Sequence, residues 1–263
     1  MKMQTFEELQ QQNLVPTKSI GELKESYLGT KKCILEGELP KYGCDKCEDG
    51  FIKTYKEWVF GYTTSHCECY KKVDYYKKIF ELLGEANIDR KMFQRYDLEA
   101  YQQNVLKLEV MYKFITEGEK RLYLQGLPGT GKTYGAFLIL MLAVHLEKNI
   151  LYVSVPKLLD DLRPSPDDLG KERMQRCIDA EVLVMDDIGQ EKYTDRVRER
   201  LYIIINERYN KGSLTIFTSN ISLERLNDKL GHPAIVSRIK WQSLVFDFAS
   251  VDKRLTLLEK SIK

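Results

Sequence analysis

Gly126-Leu-Pro-Gly-Thr-Gly-Lys-Thr133 decides how this chain folds. The stretch has the form G-x-x-x-x-G-K-[ST] and stands between a strand-like apolar segment, Leu122-Tyr-Leu-Gln125, and a helix-like one, Tyr134-Gly-Ala-Phe-Leu-Ile-Leu-Met141. Between a strand and a helix, such a loop curls so that successive backbone N–H groups and the helix N-terminus converge on phosphate oxygens. Gly126, Pro128, Gly129, Thr130 and Gly131 shape the loop, Lys132 is placed to reach β- and γ-phosphate oxygens, and Thr133 offers a hydroxyl to Mg²⁺. The expected ligand is a nucleoside triphosphate.

The pattern around the loop is that of alternating strands and helices. A helix over 98–117 leads into the first strand, and Asn149–Ser154 reads as a buried strand. Lys157–Arg163 then reads as a short helix and Arg163-Pro-Ser-Pro-Asp167 as a loop. Val182-Leu-Val-Met185 reads as a strand ending in Asp186-Asp187-Ile-Gly189, and Leu214–Thr218 as a strand delivering Ser219-Asn220. This alternation implies a parallel, three-layer α/β sheet. Ligands of such sheets bind at the carboxyl ends of the strands, so the two aspartates should emerge beside the phosphate loop. Asp186 is expected to hold Mg²⁺ through water, Asp187 to polarise an attacking water, and Asn220 to orient that water or touch the γ-phosphate. The alternative for the aspartate pair is a capping role at a strand end.

Composition narrows the class. With 41 Lys and Arg against 39 Asp and Glu, the net charge of +2 neither requires nor excludes nucleic acid, so any basic surface must be local. The longest apolar run, Ala136–Val144, is far short of the ~20 residues of a membrane span, and no secretory leader is visible; a soluble, cytoplasmic protein with no membrane partner is expected. Five of the six cysteines lie between 33 and 69. In a chain that uses cytosolic nucleotide, metal binding is a better expectation for them than disulfides. Cys44-Asp-Lys-Cys47 is a C-x-x-C knuckle, and Cys67-Glu-Cys69 is a tighter second pair; four thiolates could close a tetrahedral site for Zn²⁺, with iron as the alternative. Cys33 or His66 could replace Cys69. Tyr42, Phe51, Tyr55, Trp58, Phe60 and Tyr62 surround this cluster, either as a metal-pinned mini-core or as a surface for a partner. Lys71–Arg95 is highly charged, with helical spacing at Tyr75, Ile79, Leu82 and Leu83 and an expected end at Gly84.

The segment from Leu122 to Arg254 resembles an AAA+ ATPase, with Asn220 similar to sensor 1 and Ser237-Arg238-Ile239 similar to the arginine-finger box. More narrowly, Asp186-Asp-Ile-Gly-Gln-Glu191, Arg200-Leu-Tyr-Ile-Ile-Ile-Asn-Glu-Arg-Tyr209 and Thr215-Ile-Phe-Thr-Ser-Asn220 resemble the DnaC/DnaI family of replicative helicase loaders, whose transposition relatives are the IstB family. The resemblance implies an AAA+ core without the C-terminal helical lid, preceded by a small zinc-binding domain. It implies self-assembly into a spiral in which Arg238 reaches a neighbour's ATP, with Arg254 in the position of sensor 2. It also implies docking of the N-terminal domain on a DnaB-type hexameric helicase and delivery of that helicase to single-stranded DNA. The corresponding domains are 1–75 (zinc-binding, helicase-docking), 76–99 (helical linker) and 100–263 (ATPase). One departure is Asp187, where Glu is common among AAA+ enzymes; its shorter reach suits slow turnover. For Arg238 the alternative is an ordinary salt bridge within its own subunit. Lys157, Arg163, Lys171, Arg173 and Arg176 are candidate contacts for a single-stranded backbone, or else a solvated basic face opposite Asp160, Asp161, Asp167 and Asp168. Competing functions are an IstB-like ATPase acting on duplex DNA with a transposase, and an adaptor that does not hydrolyse ATP. A GTPase is disfavoured, since Asn210-Lys-Gly-Ser213 lacks the Asp of a base-reading N-K-x-D motif.

Overall fold

The computed structural model describes residues 44–47, 51–56, 61–85, 111, 114–116, 120–162, 169–190 and 193–248. They fall into two compact units, one within 22–94 and one within 95–263. The expected contributions of Cys33, Tyr42, Trp58, Phe60, Arg163 and Arg254 lie outside the described residues.

The smaller unit holds an antiparallel hairpin, β1 (Phe51–Lys56) and β2 (Gly61–His66), followed by helix α1 (Glu68–Glu85). Phe51 faces His66 and Tyr55 faces Tyr62 across the ribbon. Strand alternation therefore puts these four aromatic residues on one face. Helix α1 starts directly after Cys67 and passes through Gly84. Its buried stripe is Val73, Tyr76, Ile79 and Leu82, so the inward tyrosine is Tyr76. Tyr75, which the spacing placed on the apolar side, lies about 100° around the helix from it and is only half-buried.

The larger unit is built on five parallel strands: β3 (Arg121–Gln125), β4 (Ile150–Ser154), β5 (Val182–Asp186), β6 (Leu214–Ser219) and β7 (Ser243–Asp247), in the order β4-β5-β6-β3-β7. Helix α2 (Lys132–His145) is apolar on every side, as a helix surrounded by protein must be, and is buried from Tyr134 to Val144. It packs across β3, β4, β5 and β6. Tyr123, Leu151, Val153, Leu183, Met185 and Phe217 point to the other face. There they form one core with α3 (Val155–Asp161), α4 (Leu169–Asp179), α5 (Asp195–Lys211), α6 (Leu226–Leu230) and α7 (Pro233–Lys240). The two helical layers and the sheet between them are the three-layer α/β architecture that the phosphate loop implied. Met111 and Phe114–Thr116, from the helix expected ahead of β3, are helical in the structure.

Two features escaped the sequence reading. No strand was expected after Ile239, yet Ser243–Asp247 pairs in register with β3, Leu244 beside Leu122. And Arg208, 2% exposed, is among the largest fully buried side chains. Its guanidinium donates to Thr215 Oγ1 and to the carbonyls of Cys177, Ala180 and Leu214, joining the ends of α4 and α5 to β6. Burial pulls its pKa down to about 10, which leaves it cationic at neutral pH.

Candidate nucleotide site and cysteine cluster

The phosphate loop follows β3 and opens α2, and its geometry rests on the glycines. Gly131, the N-cap of α2, has φ +101°, a conformation that L side chains rarely adopt. Gly126 has φ +149°, and a Cβ there would lie 2.8 Å from the carbonyl oxygen of Phe248. The end of β7 thus presses directly on the loop, helped by the Phe248 N–H donating to Gln125 O at 2.8 Å. Gln125 ties the rest of the edge: its Nε2 donates to Asp247 Oδ1 at 2.6 Å, and its Oε1 accepts from the Leu223 N–H at 2.8 Å. Thr130 Oγ1 donates to Leu127 O at 2.9 Å, closing the loop on itself. Leu127 and Pro128 are exposed at its tip.

Lys132 is buried at the centre. Its ammonium donates to Gly126 O at 2.9 Å, Leu127 O at 2.8 Å and Asn220 Oδ1 at 2.7 Å. Thr133 Oγ1 donates to Asp186 Oδ1 at 3.0 Å. The structure therefore brings together Lys132, Thr133, Asp186, Asp187 and Asn220, the residues expected to share the site. Two further residues complete it. Tyr152 Oη donates to Asp186 Oδ2 at 2.6 Å and Thr218 Oγ1 to Asp186 Oδ1 at 2.5 Å, so three hydroxyls aim at one carboxylate. The sheet explains why: Tyr152 pairs with Val184, and Val184 with Ile216, so strand alternation sets Tyr152, Asp186 and Thr218 on the face that α2 covers. Burial and the adjacent carboxylate push the Tyr152 phenol far above its usual range, keeping it a proton donor.

Asp187 sits differently. Its φ of +61° is left-handed, a region that Asp tolerates better than most residues, and its N–H donates to Thr218 Oγ1 at 2.9 Å. Burial first, then the charge of Asp186, raises its pKa, while Lys132 opposes the rise. For an acid with a raised folded pKa, the cost to stability is absent below the unfolded value, grows as pH rises through the window up to the folded value, and persists above it. Asp187→Asn keeps the left-handed backbone and removes the charge. Its melting temperature should exceed the wild type's at pH 7, with the difference fading as pH falls toward the ordinary carboxylate range near ~4; calorimetry across pH reads this directly.

Arg238 stands apart from this group: Nε donates to Asn206 Oδ1 at 2.8 Å and Nη1 to Ala234 O at 3.0 Å, both within its own subunit. Among the candidate DNA-contacting residues, Lys157, Lys171 and Arg176 are exposed. Arg173 is turned toward Asp161, 3.8 Å away.

In the smaller unit Cys44, Cys47, Cys67 and Cys69 offer sulfurs that all lie within 4.8 Å of one another. Pairs stand at 3.6 Å (Cys44–Cys47), 3.7 Å (Cys44–Cys67) and 3.2 Å (Cys47–Cys69), far beyond the ~2.05 Å of a disulfide. Metal–sulfur bonds of ~2.3 Å place the corners of a tetrahedron roughly 3.8 Å apart, so four soft donors at this spacing fit Zn²⁺. His66, a candidate to replace Cys69, instead stacks on Tyr70 with ring centres 4.0 Å apart and meets Phe51 at 5.1 Å. Tyr55 and Tyr62 pair edge-on at 5.4 Å and remain exposed. Among the described residues, no helix is long and apolar enough to cross a membrane.

The sequence profile of the IstB-like ATP binding protein family matches residues 75–254, more than half of the chain. The chain is 29% identical over 171 residues to the replicative helicase loader DnaI of Bacillus subtilis, covering 61% of this chain and 55% of that protein. It is 27% identical over 150 residues to y4pL of Sinorhizobium fredii, which is named for an insertion sequence and for ATP binding; the match covers 55% of this chain and 61% of that one. The chain thus spans little more than half the length of these relatives. Domain III of the Thermotoga maritima replication initiation protein DnaA shares the fold, with a TM-score of 0.50 at 18% identity over 64% of this chain and 72% of that one.

Proposed function

This chain belongs to the IstB-like ATP-binding family, and from that premise we propose that it is an ATP-dependent loader which places a replicative hexameric helicase on single-stranded DNA. The observation that carries the reading is the convergence of Cys44, Cys47, Cys67 and Cys69 in a unit of its own, four thiols at a spacing that fits Zn²⁺. The resemblance to DnaI-like loaders implies a zinc-binding module ahead of the ATP-binding core, which weighs against a transposition ATPase, and DnaI is among the relatives this chain matches. In this proposal residues 1–75 dock on the helicase and 76–99 link them to an ATPase core at 100–263, whose copies assemble in a spiral.

Bound ATP with Mg²⁺ supplies the phosphoanhydride bond whose hydrolysis releases the free energy for the cycle. The residues divide the work. Lys132 would exchange its three internal acceptors for phosphate oxygens, and Thr133 and Asp186 would hold Mg²⁺, Asp186 being oriented by Tyr152 and Thr218. Asp187 accepts a proton from the attacking water, a task for which its raised pKa suits it better than an ordinary surface carboxylate. Asn220, released by Lys132, turns its amide toward that water. Arg238 acts on the γ-phosphate held by a neighbouring copy. Asp187→Asn should lower turnover by about 10²–10³-fold while leaving ATP affinity within about threefold, as expected for loss of a general base.

Co-elution with the host's replicative helicase, with and without ATP on a light-scattering column, tests the proposal. A stable complex supports it. No complex, together with tight binding to duplex DNA, moves the function to a transposition ATPase, the reading favoured by the similarity to y4pL.

A further inference from the structure

Helix α5 has two working faces. Arg208 on one joins four carbonyls in the interior. The other carries Tyr202, Asn206 and Tyr209, spaced i, i+4 and i+7, so all three share one side of the helix. Arg238 of α7 lies along that row. Its Nε is bound by Asn206 and its Nη1 by the Ala234 carbonyl, and its guanidinium carbon stands 4.9 Å from the Tyr202 ring centre and 5.7 Å from that of Tyr209. The row extends both ways. His232, whose Nδ1 caps α7 by accepting from the Ile235 N–H, stacks on Tyr202 at 5.4 Å, and Arg121 sits over Tyr209 at 4.7 Å with its Nη1 donating to Trp241 O at 2.7 Å.

A guanidinium flanked by two π faces and held at Nε has little rotational freedom left, whereas a free arginine side chain loses much on binding. Among the described residues, Arg238 Nη2 makes no hydrogen bond, so the cradle holds the group at Nε and Nη1 and leaves the two N–H groups of Nη2 for an anion. We infer that Tyr202, Asn206 and Tyr209 are positioning residues that pre-set Arg238 within each subunit, so that it meets the γ-phosphate held by a second copy already oriented. This rests on the reading of Arg238 as a residue that acts in trans. It also gives a task to the second face of the stretch Arg200–Tyr209, whose other face is buried in the core.

The test uses the full chain with ATP and saturating single-stranded DNA. Tyr202→Leu and Asn206→Leu should each lower assembly-stimulated kcat about tenfold and leave the KM for ATP within about twofold, whereas Tyr202→Phe, which keeps the ring face, should retain wild-type kcat. Mixing Tyr202→Leu copies with Asp187→Asn copies, which keep an intact cradle, should restore turnover at the Tyr202→Leu sites. In nucleotide-free protein the Arg238 Nε–H resonance should be ring-shifted and protected from solvent exchange, and Asn206→Leu should remove that protection. If Arg238→Ala abolishes stimulation but Tyr202→Leu and Asn206→Leu do not, the cradle is refuted and the trans-acting arginine survives. If Arg238→Ala itself leaves stimulation intact, the trans-acting role falls and the positioning role with it.

Discussion

Lys132→Ala should abolish nucleotide binding, raising the Kd for ATP by at least about 100-fold in a calorimetric titration, or about 2.7 kcal/mol. Lys132 is 5% exposed, and its ammonium donates to Gly126 O, Leu127 O and Asn220 Oδ1. Those acceptors mark where phosphate oxygens would compete for it, and a charge-assisted bond to phosphate is worth about twice a neutral one. Alanine removes both the attraction and the internal bonds. The two carbonyls lose their buried donor, so the nucleotide-free protein should also lose about 1–3 kcal/mol of stability, read by urea unfolding. Lys132→Arg should restore little, because a planar fork cannot point three donors at acceptors arranged around a compact ammonium. An alanine variant with ATP affinity within threefold of wild type would remove Lys132 from the site and leave it a purely internal tie of the loop.

Most of this site is legible in the sequence because its parts are local. Gly126–Thr133 and Asp186-Asp187 each carry their chemistry within a few consecutive residues, and Asn220 follows an unmistakable apolar strand. What the sequence conceals depends on register or burial. Tyr152 and Thr218 belong to two different strands, and their meeting on Asp186 follows from β4-β5-β6 pairing, which no local pattern specifies. Strand β7 is a half-exposed edge strand of five residues, too short and too mixed for an alternation signal. Arg208 follows Glu207 with no local pattern that marks it as buried, and only the carbonyls at the ends of α4 and of the α5–β6 turn make its burial favourable. The spacing of the cysteines announced that the four thiols would cluster, but only the stacking of His66 on Tyr70 sets that histidine apart from them.

Cys44→Ser should carry the second large effect: loss of bound zinc and unfolding of the smaller unit, with the ATP-binding unit unharmed. The hairpin β1–β2 has two strands, too few to stand alone in water, and its aromatic residues Phe51, Tyr55 and Tyr62 remain exposed, so the hairpin's own apolar burial is small. Structural Cys-ligated zinc sites contribute apparent binding free energies of about 10–16 kcal/mol, comparable to the whole stability of an ordinary domain. The four sulfurs come from three places in the chain: the knuckle at 44–47, Cys67 after β2, and Cys69 in the first turn of α1. Loss of one corner therefore disconnects the knuckle from the hairpin and the helix. Elemental analysis should find one zinc per wild-type chain and less than about a tenth of that in the variant, since three thiolates and a serine hydroxyl hold the ion far more weakly. Circular dichroism should show the corresponding loss of strand and helix, and chelation of the wild type should reproduce it. Nucleotide affinity should be the same in both, because the residues that bind it lie in the other unit. A Cys44→Ser protein that keeps a full equivalent of zinc would show that another residue supplies the fourth corner.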